Sequence, residues 1–384
     1  MFLQTLGIFD IESAGGDREI GGLGGDGGLI LLGDRGLAFG ANNADNAFSG
    51  SISGSGTLTK QGSGRQFLYG SADYTGPIRI EGGVLAVQPA ALGPVVVNNA
   101  ALEFIFNKSD NPALPIAAYS GDISGTGTVS KLGDGALWLR GTNSYTGGTE
   151  IRGGALIGDT ASLRGDVLVN DAIAAFYQIE DGTYAGSVSG NGLLLKYGPG
   201  RLSLTGASSH SGGTAFTGAL RITGDAALGA SGATLSIVDG TLELDANVTL
   251  NRPLFVVGDS TVDTRRFDAA FLVDGDGPGS LTKNGLGQLT LHGRHAYGGP
   301  LSVTAGRLRL LGTVAGDVIV HAGAQLGGTG AVDGDLLLTP GSTLAMAVDA
   351  TGGAEFLRIG GHADVEGSAL DVDARAGDYA ARTR

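Results

Sequence analysis

The sequence predicts an all-β protein, a right-handed parallel β-helix (β-solenoid) with a C-terminal capping region. Three observations point there. The stretch from Gly121 to Leu156 recurs in three diverged copies at constant internal spacing. Within each copy apolar and polar residues alternate over strand length, the period of two that marks a half-buried strand. Glycine supplies 72 of 384 residues without an every-third-residue period, and hydrophobic residues supply 42%. Those figures exclude collagen and a disordered low-complexity chain alike.

The copies align on Lys60, Lys131, Lys196 and Lys283. Glycine stands four residues before each lysine and two, four and ten residues after it, as Gly133, Gly135 and Gly141 do in the second copy. Leu68, Leu139, Leu204 and Leu291 follow at plus eight, and Tyr74, Tyr145, His210 and Tyr297 at plus fourteen. Alternations such as Leu137-Trp138-Leu139-Arg140 and Leu289-Thr290-Leu291-His292 turn one face inward, and the flanking glycines supply the tight corners. One coil cannot bury its own leucines, but stacked coils share a continuous core. Gln66 occupies the inward position that Leu137, Leu202 and Leu289 hold elsewhere, so the first copy is expected to slip its register toward Phe67. The lysines lie several coils apart and read as structural.

In chain order, Phe2 to Phe39 reads as short strands between Gly-Asp corners, Ile8 to Ile11 and Leu29 to Leu32 among them. Gly21 to Asp26, GGLGGD, matches a single calcium-binding nonapeptide unit, and Gly22, Gly24 and Gly27 fit a dinucleotide fingerprint. One calcium unit has no tandem partner and the fingerprint has no helix behind it, so these are corner glycines. The first copy runs from Gly50 to Val87, and less regular coils follow through Pro115. After the second copy, Leu163 to Val169 contains Arg164, Gly165 and Asp166. This integrin-type tripeptide has two readings. Gly-Asp before apolar residues recurs at Gly316-Asp317 and Gly334-Asp335, so a corner accounts for Gly165 and Asp166; as a receptor-binding candidate the tripeptide rests on Arg164. The third copy spans Gly186 to Thr223. Strands at Thr234 to Val238, Thr241 to Leu244 and Leu254 to Val257 precede the fourth copy, which ends near Leu310. Residues 1–310 thus form the shaft and residues 311–384 the closing segment, whose strands would cover the end of the stack.

The patterns SGSGTLTKQGSG, SGTGTVSKLGDG and SYTGGTEIRGGAL, with GDVIVHAGAQLGGTGAVDGDLLL at Gly316 to Leu338, resemble the passenger-associated repeat and closing segment of bacterial autotransporters of type V secretion. The resemblance covers roughly Ile20 to Val372. It implies a surface or secreted location in a Gram-negative bacterium, adhesion or virulence-related binding, and an autochaperone role for residues 311–384. It also implies a targeting signal before Met1 and a membrane barrel after Arg384, both outside this sequence. In the same family such repeats serve as inert stalks behind an enzyme such as a subtilisin-like protease, which is the rival reading. The partners expected are a host-cell receptor, a matrix protein or a second copy of the chain.

A net charge of −14 opposes binding to nucleic acid or anionic lipid. No apolar run approaches the ~20 residues of a spanning helix, so this segment is not expected to insert into a membrane. Cysteine is absent, which fits the passage through a narrow barrel pore that the resemblance implies and equally fits a long stack stable without disulfide staples. No Gly-x-Ser-x-Gly elbow occurs, and the five histidines have no recognised ligand spacing. No catalytic residue, cofactor or metal is therefore expected. Asp274 with Asp276, and Asp371 with Asp373, could suggest the acid pair of a polysaccharide-degrading β-helix, but solvated corner acids explain them as well. Trp138, Tyr69, Tyr119, Tyr177 and Tyr184 are candidates for a carbohydrate or receptor surface.

Overall fold

Ile8 lies beside Leu29, Leu29 beside Ser51 and Ile52 beside Ala72, always in parallel. The chain therefore returns to the same face about every 21 residues, one inter-strand step of ~4.8 Å further along. The computed structural model describes residues 1–3, 7–70, 72–110, 116–348, 354 and 356–374. It holds about 17 turns of parallel β-solenoid, grouped in two compact units, Met1–Tyr177 with Ala185–Leu194 and Gln178–Tyr184 with Leu195–Arg384.

In the first unit ten strands stack on one face, from Phe2–Leu3 to Val188–Gly190, and six on a second, from Arg18–Ile20 to Asp122–Ser124. Further faces carry Ile8–Asp10 to Ala72–Tyr74 and Ile116–Tyr119 to Ile173–Tyr177. Inward residues of successive coils stand in register. Phe48, Leu68, Val87 and Phe104 form one such column, which continues through Lys131 to Ile151 and Val169. Each of these apolar side chains is at most 2% exposed, and full burial contributes about 1.5–3 kcal/mol apiece. The register expected to slip in the first copy does not. Gln66 points inward, 1% exposed, while Phe67 is half-buried on the outside. Gln66 pairs with Asn46 and Leu85 in unbroken register; shifting the strand by one would have expelled Leu68 from the core, a larger loss than burying one amide.

In the second unit the inward column Val248, Ala269, Leu289, Leu308, Leu326, Leu344 and Leu370 runs through seven strands. The two strands expected at Thr234 to Val238 and Thr241 to Leu244 form one, Leu235–Leu244, which turns on Asp239 at φ 46°. Coils continue through the closing segment as far as Ala369–Ala374, which pairs with Thr343–Val348 over six positions. Burial fades along this end: Leu326 is fully buried and Leu370 is 61% exposed. Residues 349–353, 355 and 375–384 of the expected closing segment lie outside the described residues.

The acidic balance has a structural origin. The carboxylate of an aspartate at a corner accepts the backbone N–H of the coil that follows. Asp45 accepts from Arg65, Asp122 from Thr142, Asp181 from Arg201, Asp268 from Gln288, Asp274 from Arg294 and Asp317 from Asp335, all at 2.7–2.9 Å. Corner amides that no strand can pair are satisfied in this way. Among the described residues no helix is long and apolar enough to cross a membrane.

Candidate functional site

The repeat lysines are buried, from 0% to 2% exposed. Lys131 Nζ donates to the carbonyls of Leu132 at 2.7 Å, Gly133 at 2.8 Å and Phe106 at 3.4 Å. Lys283 Nζ donates to Asn284, Gly285 and Ala305 carbonyls at 3.0, 2.5 and 2.9 Å and to Thr264 Oγ1 at 2.9 Å. Lys60 and Lys196 reach the matching Gly62 and Gly198 carbonyls at 3.0 and 2.8 Å. Each ammonium thus collects the inward carbonyls of its own Gly corner. Gly133 at φ 85° and Gly285 at φ 81° make the turn that aims those carbonyls inward. Burial pushes Lys131, Lys196 and Lys283 down to about 8, against the restraint of nearby aspartates. These groups hold corners together and face no cleft.

The plus-fourteen residues are buried as well. Tyr74 OH accepts from Leu58 N–H at 3.0 Å and shares its one hydrogen between the Gly56 and Pro77 carbonyls, 2.7 and 2.6 Å away. Tyr145 OH meets Thr149 Oγ1 at 2.7 Å, and His210 Nε2 meets Thr214 Oγ1 at 3.0 Å. Histidine therefore replaces tyrosine in the third copy while keeping the bond to a threonine four residues on. His295 is engaged through both ring nitrogens, with Tyr297 OH at 2.9 Å and the His292 carbonyl at 2.7 Å. No group of three or more potential metal ligands occurs among the described residues.

The tripeptide lies at a corner. Gly165 has φ 65° and stands against the backbone of Gly148. Asp166 Oδ1 accepts Ser187 N–H at 2.8 Å, which holds its carboxyl below the usual carboxylate range, and its carbonyl accepts Thr149 N–H at 2.8 Å. Arg164 is exposed, with Nη1 3.3 Å from the Thr160 carbonyl. Asp274 and Asp276 are both held by backbone N–H groups, those of Arg294 and Gly277, each at 2.7 Å. Asp371 and Asp373 stand on the exposed strand Ala369–Ala374.

The candidate aromatics divide. Tyr119 and Tyr184 are 5% and 4% exposed and belong to the core. Tyr69, 41% exposed, stacks on Phe67 at 5.7 Å. Arg140 lies over the Trp138 ring at 3.9 Å, and Tyr177 meets the same ring edge-on at 5.4 Å, above the outward but buried Ile157 and Ala175. This forms an outward aromatic and cationic platform.

On the ten-stranded face of the first unit the outward row Ala86, Glu103, Ser130, Glu150, Leu168 and Ser189 crosses successive coils in register. A cleft of about 360 Å³ opens over this row from Glu103 to Ser189, and Asp166 and Arg152 also line that cleft. Glu103 and Ser130 face outward yet are only 5% and 6% exposed. Arg65 pairs with both Glu103 oxygens, at 2.6 and 3.0 Å, and Arg152 pairs with Glu150 at 2.6 Å. No sequence pattern marks this row, because Glu103 and Arg65 lie two coils apart and only the coil register joins them.

The passenger-associated-transport-repeat family matches residues 58–87, 129–157, 194–222 and 281–310. The chain is 32% identical over 223 residues to the Adhesin BmaC autotransporter of Brucella suis biovar 1, covering 55% of this chain and 6% of that protein. It is 34% identical over 128 residues to the Neisserial autotransporter lipoprotein NalP of Neisseria meningitidis serogroup B, covering 32% of this chain and 12% of that one. The chain thus spans a small part of the length of the curated relatives it matches. No solved structure matches significantly.

Proposed function

Because the chain belongs to the autotransporter passenger domains and is a parallel β-solenoid of the cell surface or secreted space of a Gram-negative bacterium, we propose that it serves there as a non-enzymatic adhesive scaffold. The match over 223 residues with an adhesin carries this reading. The geometry supports it: corner acids and repeat lysines are occupied by backbone groups, while the Trp138, Arg140 and Tyr177 platform stands outward. Aromatic and arginine side chains at a surface are the usual anchors of binding. A host-cell receptor, a matrix protein or a second copy of the chain is the partner proposed, and residues 311–384 are proposed as the closing segment that seeds folding. The test is attachment of beads coated with the 384-residue chain to cultured epithelial cells. Binding above that of beads bearing an unrelated acidic protein, reduced by Trp138→Ala with an unchanged circular dichroism spectrum, is the expected result. Attachment no greater than the control overturns it. A second reading is favoured by the match with an autotransporter lipoprotein rather than an adhesin: the coils are a non-catalytic stalk in a longer chain whose activity, for instance that of an enzyme domain, resides elsewhere.

A further inference from the structure

We propose that the cleft over Glu103, Ser130, Glu150 and Leu168 is a binding site for a neutral oligosaccharide lying along the coil axis. The inference deepens the adhesive reading and rests on it only for its biological use. Glu103 and Ser130 face outward, are 5% and 6% exposed, and form the floor of the cleft they line. Its volume of about 360 Å³ falls within the range of small-ligand sites.

The chemistry of the lining selects the ligand class. Glu103 is neutralised by Arg65 through two contacts and Glu150 by Arg152 through one, and the third carboxylate of the lining, Asp166, is held by the Ser187 N–H at 2.8 Å. Breaking these pairs to take a free cation or anion would forfeit an existing charge-assisted interaction for a new one. A hydroxyl needs no such exchange, since it donates to a carboxylate oxygen and accepts from a guanidinium or serine hydroxyl at the same time. The coil register repeats donor and acceptor groups every ~4.8 Å along the axis, so successive rungs offer polar groups to a ligand that itself repeats. Leu168, 38% exposed in the same row, gives an apolar surface on which the C–H face of a sugar ring can lie, and the glycine corner Gly147-Gly148 keeps one wall low. A peptide strand would need a sheet edge for main-chain pairing, whereas this is the face of a fully paired sheet.

The experiment uses the isotope-labelled 384-residue chain, titrated with maltotriose, cellotriose and chitotriose, and in separate arms with poly-L-lysine and heparin. At least one neutral trisaccharide is expected to shift the amide resonances of Ser130, Leu168 and Ser189 saturably at millimolar concentration. Ser130→Trp, which fills the cleft, is expected to weaken that binding at least about tenfold, and Leu168→Asn by about threefold. Should Ser130→Trp fail to fold by circular dichroism, Leu168→Asn decides alone. The proposal is overturned if no trisaccharide moves these amides, if the bound one is indifferent to Leu168→Asn, or if poly-L-lysine or heparin alone produces the shifts. Sugar binding without cell attachment would sink the adhesive reading and leave the cleft standing. Attachment without sugar binding would do the reverse.

Discussion

Replacing Lys283 by Met, and in parallel Lys131 by Met, separates two opposed effects of a buried ammonium. Methionine keeps the length and the apolar stem, so packing in the inward columns is nearly conserved. At Lys283 the change removes four contacts, three to carbonyls and one to Thr264 Oγ1. At Lys131 it removes two short contacts and one at 3.4 Å. Hydrogen bonds to a charged group are worth about 1.5–3 kcal/mol each, and stranded carbonyls add their own desolvation cost. Against this, removing the charge relieves the several kcal/mol that burying an ion costs. The lost bonds outweigh that relief because every ammonium hydrogen at Lys283 has a carbonyl or hydroxyl acceptor. A net loss of roughly 3–5 kcal/mol is expected for Lys283→Met and roughly 2–3 kcal/mol for Lys131→Met. Urea denaturation followed by far-ultraviolet circular dichroism measures the totals, and hydrogen exchange of the amides of Thr304 and Arg152, which pair with these lysines' own carbonyls, measures the local effect. The reasoning is refuted if either methionine variant matches or exceeds the parent in stability, or if the order of the two is reversed.

Stability should rise with pH from about 8 to about 10. With Lys131, Lys196 and Lys283 lowered to about 8 when folded and near 10.5 when unfolded, the unfolded chain binds more protons in that window, and rising pH then favours the folded state. Above about 10 the trend reverses, because burial raises Tyr74, Tyr119 and Tyr297 and the folded chain then retains the extra protons; a stability that falls steadily from pH 8 would contradict this. Arg252, 2% exposed, pairs with Asp225 at 2.6 Å and donates to the carbonyls of Asp225, Leu228, Gly229 and Ala233, so Arg252→Met should cost about 3–5 kcal/mol by stranding the partner charge, with Arg252→Lys recovering only part of it in urea titrations. Arg164→Ala should leave both stability and cell attachment unchanged, whereas Gly165→Val should lower the melting temperature because valine disfavours φ 65° and its Cβ would press on Gly148; selective loss of attachment by Arg164→Ala would restore the tripeptide as a receptor site.

The repeat, the strand alternation and the Gly corners were legible in the sequence because each depends on neighbours within one coil. A leucine two residues from another in a strand faces the same side whatever lies above it, so the inward positions Leu68, Leu139, Leu204 and Leu291 followed from spacing alone. The candidate site was barely legible. That Trp138 meets Tyr177 edge-on, and that Glu103 meets Arg65 across two coils, depends on residues about 20 or more positions away. Coil stacking decides those partners, and a change of one residue in coil length would exchange them. The same holds for Gln66, which local pattern would have moved outward and which the register of Leu68 with Phe48 and Val87 kept inside. Composition foretold an acidic surface, but only the tertiary structure showed why so many aspartates sit at corners: their oxygens receive amides of the next coil. Period and polarity are properties of a single strand and survive in one dimension, whereas burial of a charge is decided by what three dimensions bring beside it.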